Sequence, residues 1–140
     1  MLLRLAGALI LNSALLGSCL SAVAPYVDPA DFSSAIYFEP AQATIDPSQI
    51  SQLEYVAEVL KNHPTLGVFV KGHADITEGS EIECQIISDR RAQLVYDWLA
   101  AHGFESRVKG HKGFGNSQAI DFTDTEKQRR RNRRVELVIS

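Results

Sequence analysis

The stretch GHADITEGSEIECQIISDRRA, residues 72–92, changes character half-way along. Its first residues close a β-rich run, LGVFVKGH from Leu66 to His73, which Gly72 breaks. Its second half opens a helix that runs to His102 and stops at Gly103, a natural residue for a left-handed helix end. On that helix Ile87, Leu94, Val95, Trp98 and Leu99 form an apolar stripe. Arg91 lies in the middle of the stripe, between Trp98 and Val95 at about 100° per residue, whereas Arg90 falls at its edge beside Asp97. A guanidinium in that position needs an anion close by.

Strand-like and helix-like segments alternate on either side. Ala35–Phe38 is a short apolar run ended by Pro40. Asp46-Pro47-Ser48-Gln49 supplies an N-cap, a first-turn proline and a reciprocal Gln, and Ile50, Leu53, Val56, Ala57 and Leu60 follow at helical spacing. Pro64 stops this helix near Asn62. Beyond Gly103, Arg107–Gly110 is a weaker strand, Phe114–Asp124 a loop and Arg134–Ile139 a final strand. The order predicts an α/β (α+β) fold of β-α-β-α-β-β type, a two-layer sandwich with two main helices packed on one face of a small mixed sheet.

The N-terminus sets the compartment. Residues 1–18 carry one early charge, Arg4, then an apolar run from Leu5 to Leu16 and small residues before Cys19, which is the pattern of a secretory signal. The run is short for a membrane span of about 20 residues. Leu16-Gly17-Ser18-Cys19 resembles the lipobox of bacterial lipoproteins, with Cys19 as the lipidated first residue; the other reading is an ordinary signal cut elsewhere. Leu20 in place of an Asp after Cys19 suggests, by the same resemblance, sorting to the outer membrane. Loss of Arg4 from the 14 basic residues leaves 13 against 17 acidic ones, a mature charge of −4. With Cys19 acylated, Cys84 has no partner in the chain, so a hydrophobic core and not a disulfide must stabilise the domain. Residues 19–34, with Pro25 and Pro29, read as a tether, and residues 35–140 as one domain.

IYFEPAQATI, GHAD, ISDRRAQLVYDWLAAHG, KGFGNSQ and NRRVELVI, in this order, resemble the OmpA-like C-terminal domain over about residues 35–140. Signal, lipidated cysteine, short tether and this domain alone are closest in architecture to the peptidoglycan-associated lipoproteins. The resemblance implies non-covalent binding of peptidoglycan peptide stems, chiefly through diaminopimelate, and no enzymatic activity or cofactor. The tip of that residue carries an ammonium and a carboxylate, so its receptor needs an anion beside a cation. By motif, Asp75 of GHAD and Arg91 of SDRRA are the main ligand-binding positions. Phe38, Glu39, Thr77, Cys84 and Arg134 complete the implied site, with Arg133 as the alternative to Arg134. Asp75 and Arg91 are expected to pair with each other in the first turns of the helix and to meet at one solvent-open mouth of the fold; a purely structural ion pair is the competing reading.

Several positions depart from the family pattern. Cys84 stands where an Asn is usual, Ala74 where a Thr is usual, and Ala41 marks a lost acidic position in the first loop. The separation of Asp75 from Arg91 is about one residue longer than usual, absorbed at Thr77-Glu78-Gly79. These changes imply weaker or broader stem binding.

Catalysis finds little support. His73, Asp75, Cys84 and His111 carry no CxxC, HExxH or nucleophile-elbow pattern, so no catalytic or metal site is expected. If exposed, Cys84 would instead be open to an intermolecular disulfide. The run Lys127–Arg134 holds six cations in eight residues, but a secreted, acidic chain with no aromatic platform beside them excludes nucleic acid. That run is expected to be a solvated turn whose arginines offset Asp121, Asp124 and Glu126. The expected function is an outer-membrane lipoprotein, its domain facing the periplasm, that tethers the membrane to the cell wall. The alternative is an OmpA-like scaffold with a weakened site, serving as an interaction module for protein partners in an envelope or secretion complex.

Overall fold

The computed structural model describes residues 32–140; Cys19, the signal and most of the expected tether lie outside them. Strand β1 spans Ser33–Tyr37, helix α1 Ile50–Asn62, β2 Val68–Gly72, α2 Glu81–Ala101, β3 Val108–Gly113, α3 Glu126–Asn132 and β4 Arg134–Ile139. The strands form one mixed sheet in the order β1-β4-β2-β3. The last strand is inserted between the first two: β4 is antiparallel to β1 (Ser33 opposite Val138, Tyr37 opposite Arg134) and to β2 (Val68 opposite Ile139, Gly72 opposite Val135). β2 and β3 pair in parallel, with a register irregularity between Val68 and Phe69. Parallel neighbours require a crossover, which α2 provides.

Helix spacing explains the core. Leu53, Val56, Val59 and Leu60 of α1 and Ala92, Val95 and Leu99 of α2 pack on Ile36, Val68, Val70, Val135, Leu137 and Ile139. Alternation along β4 places Val135, Leu137 and Ile139 inward, while Glu136 and Val138 remain half-buried. At Gly72 and Gly113 the sheet lies directly against α2, since a Cβ on Gly72 would fall 2.0 Å from the Ser88 carbonyl oxygen and one on Gly113 2.3 Å from the Asp89 nitrogen.

Four expectations need correction. The basic run is not a turn: most of it is α3, and three of its arginines are held by Asp124 (2.5 Å from Arg129), Asp121 (3.3 Å from Arg131) and Glu126 (paired with Arg133). These are the acids expected to offset them. Gln49 does not close a capping box; its side chain latches the backbone of Tyr37, accepting from N and donating to O at 2.7 Å each. Asp46 does cap, over a single 3-10 turn before α1 begins. On α2 the innermost residues of the first turns are Cys84 and Ser88, while Ile87, expected on the apolar stripe, is only half-buried. Finally, α2 starts at Glu81, capped by a Ser80/Glu83 box, so Arg91 lies mid-helix and not in its first turns. The helix dipole therefore bears little on it.

Candidate functional site

The connections after β1, β2 and β3 and the α3–β4 junction converge at one end of the sheet. Backbone bonds knit them together: Phe38 N to Arg133 O at 2.9 Å, His73 N to Arg134 O at 2.8 Å and Ala74 N to Gly115 O at 2.8 Å. Asp75 and Arg91 both belong to this cluster, yet neither is open to solvent, with residue exposures of 2% and 0%.

Arg91 answers to Glu78 and not to Asp75. Nη1 donates to Glu78 Oε2 at 2.8 Å and Nη2 to Oε1 at 2.5 Å, a bidentate fork between side chains that are 0% and 1% exposed. The remaining donors reach the carbonyls of Gln42 (2.8 Å), His73 (3.1 Å) and Glu39 (3.2 Å). A guanidinium has five N–H donors, and all five are used. Its carbon lies 5.1 Å from the centre of the Phe38 ring. Glu78 also accepts from the backbone of Ala41 (2.9 Å) and of Asp75 (2.8 Å). The expected pairing of Asp75 with Arg91 is thus replaced by a buried pair built from the acid three residues on. In this connection a 3-10 turn, Ile76–Glu78, which Asp75 caps, carries Glu78 back over Arg91.

Asp75 itself is only half satisfied. Oδ1 accepts from Thr77 N (2.9 Å) and Thr77 Oγ1 (2.5 Å), whereas Oδ2 has the Asn132 amide at 3.5 Å. Asn132 in turn braces the loop after β3, accepting from Ile120 N at 2.9 Å and donating to the Asp121 carbonyl at 2.7 Å.

The other predicted residues divide. Thr77 orients Asp75, Phe38 underlies Arg91, and Glu39 contributes its carbonyl, its side chain remaining exposed. Cys84 is buried beneath the turn, with Sγ 3.4 Å from the Asp75 carbonyl oxygen and 3.6 Å from that of Gly79. Burial, then the charges of Glu78 and Asp75, push its thiol pKa up, which suits neither a nucleophile nor an intermolecular disulfide. Arg134 is spent on Glu136, at 2.6 and 2.8 Å, and borders a separate hollow of about 620 Å³ that Asp75 and Arg91 do not line. Arg133 donates to the Phe38 carbonyl at 2.9 Å and pairs with Glu126. Glu78 and Asn132 are the site residues that sequence reasoning passed over. The D-x-x-E spacing of Asp75 and Glu78, a turn-capping signature, was the available signal for the first.

Comparison with known proteins identifies the family and the fold. The OmpA family profile matches residues 37–133. The chain is 31% identical over 105 residues to the Escherichia coli K12 protein described as probable lipoprotein YiaD, covering 75% of this chain and 48% of that protein. It is 35% identical over 98 residues to the peptidoglycan-binding protein ArfA of Mycobacterium tuberculosis H37Rv, covering 70% and 30%. It thus spans about half the length of the first and under a third of the second. The crystal structure of the peptidoglycan-associated lipoprotein from Burkholderia pseudomallei superimposes with a TM-score of 0.71 at 21% identity, covering 80% of this chain and 93% of that one, a likeness of fold. Matched over most of its described length and built on the same sheet, the chain belongs to the OmpA family.

Proposed function

We propose that this chain is an outer-membrane lipoprotein whose periplasmic domain grips the peptide stems of peptidoglycan non-covalently, through diaminopimelate or a residue of similar shape. The family is a non-enzymatic one, in keeping with the unreactive Cys84. One observation carries the reading. Within a single loop cluster lie a carboxylate oxygen with only a 3.5 Å contact and a guanidinium already holding a carboxylate in bidentate geometry. Those are the two halves of a receptor for an ammonium beside a carboxylate. Glu78 stands where the carboxylate of a ligand would sit. The description of ArfA as peptidoglycan-binding supports the same reading. Acyl chains on Cys19 and many weak stem contacts would together give firm attachment.

The test is co-sedimentation of the full chain with purified sacculi. Asp75→Ala is expected to lose pelleting while still melting cooperatively, at a temperature lowered by the loss of its cap on the turn, about 1 kcal/mol. Arg91→Ala should lose it as well, but it strands buried Glu78 and costs about 3 to 5 kcal/mol of stability, so its fold is checked by circular dichroism. Unchanged pelleting of both variants refutes the proposal.

A second reading, an interaction module for a protein partner, draws on the sealing of Arg91 and on apolar side chains exposed in and beside these loops: Ile76 and Ile82 at 74% and Phe122 at 89%. Titration with a diaminopimelate peptide separates the two, since signals confined to Asp75 and its neighbours favour the wall.

A further inference from the structure

We infer that Glu78 is a built-in carboxylate that occupies the carboxylate-binding half of the site, on Arg91, so that the site selects stem peptides whose side-chain tip bears an ammonium but no free carboxylate. This deepens the stem-binding reading and rests on it. Glu78 accepts four hydrogen bonds, two from Arg91 and one each from the Ala41 and Asp75 backbones. An incoming carboxylate could at best reproduce the bonds it displaced. It would also leave two backbone N–H groups without their acceptor and force Glu78 into solvent.

The displaced group is, moreover, covalently attached and therefore always present at high effective concentration. Its turn is pinned on both sides. Asp75 and Glu78 cap it in front, the Ser80/Glu83 box follows, and between them Gly79 adopts φ +139°, a conformation only glycine takes without strain. With Glu78 seated, Asp75, Glu78 and Arg91 sum to one net negative charge. That charge attracts an ammonium, which reaches buried Asp75 Oδ2 by displacing the Asn132 amide at 3.5 Å, and repels a second carboxylate. Lysine, or diaminopimelate amidated at its free carboxyl, has the fitting tip.

Three tripeptide stems are titrated into the full chain in detergent by calorimetry: one ending in meso-diaminopimelate, one in its side-chain amide, one in L-lysine. The wild type is expected to bind the amide and lysine stems roughly tenfold or more tighter than the free acid, the scale of one charge-assisted contact. Glu78→Ala empties the acceptor position and is expected to reverse the order. Glu78→Gln keeps the volume, guards against misfolding of the alanine variant, and is expected to abolish the discrimination. Equal affinity of the wild type for the acid and the amide overturns this inference and leaves stem binding standing. Absence of binding by every protein to every stem overturns both.

Discussion

At the scale of single residues, the end of the sheet where the loops converge holds side chains whose charge state depends on their surroundings. His73, 1% exposed, stacks on Phe114 and has no hydrogen-bond partner at either ring nitrogen; Glu136 Oε2 is 3.6 Å away, beyond hydrogen-bond reach. Burial, and then the Arg134 charge, lower its pKa from 6.5 to about 4, against the opposing pull of Glu136, so the imidazole is neutral in the folded protein. The unfolded chain takes up its proton near pH 6.5 and the folded chain only near 4. Stability is therefore complete above pH 6.5 and falls as the pH drops from there to about 4, by an amount on the order of 3 kcal/mol. Urea unfolding at stepped pH is expected to trace this slope, and His73→Phe to flatten it. An identical slope in the variant would assign the effect to carboxylates instead.

At the scale of elements, α2 is seated on the sheet by two glycines and a serine. Gly72 and Gly113 let the helix backbone touch β2 and β3, and Ser88 Oγ accepts from Gly115 N at 2.9 Å while Asp89 accepts from Gly113 N at 2.8 Å. Gly72→Ala must push α2 away from the sheet and with it Arg91, which the helix carries. A loss of about 3 kcal/mol or more is expected in thermal or urea melts, at or beyond the usual overpacking range because the clash is with backbone. Gly103→Ala is the control: φ is +87° but nothing lies within 4 Å, so only the left-handed conformation costs, about 1 kcal/mol. Equal losses at the two positions would contradict close seating of α2. Most elements were legible beforehand, β4 to the residue and α1 and α2 nearly so, because periodicity and capping are local. α3 was not, since a seven-residue helix of mostly charged residues has no apolar stripe to announce it.

At the scale of the whole molecule, inserting β4 between β1 and β2 brings the β1–α1 loop, the β2–α2 turn and the α3–β4 junction to one end of the sheet. The first described strand is at the other terminus, beginning at Ser33. Cys19 and Ser33 are fourteen steps apart, a reach of at most about 50 Å, so a lipidated chain would keep the start of the domain within that distance of the bilayer, with the loop cluster at the opposite end of β1. Cys19→Ala is expected to move the protein from the membrane fraction to the soluble envelope fraction after cell lysis. Because one of two linked attachments is then lost, its retention in intact envelopes should fall by about 100-fold or more, while pelleting with purified, membrane-free sacculi stays the same. Undiminished membrane pelleting of the variant would rule out the acyl anchor.

The sequence by itself determined the order of the strands and the two main helices, most of the apolar faces that pack between them, and the placing of Arg91 on the buried side of α2. All of these follow from spacing along the chain. It determined equally that such a cation needs an acid. Only the tertiary structure decided which acid. Asp75 and Glu78 are three residues apart, and the partner of Arg91 is set by a 3-10 turn that folds the second carboxylate back while the first is held by Thr77 and the turn's own N–H groups. Periodicity carries no information on where a turn aims its side chains, because that direction is fixed by backbone bonds to distant loops, here the Ala41 nitrogen to Glu78 and Arg91 to the Gln42 and Glu39 carbonyls.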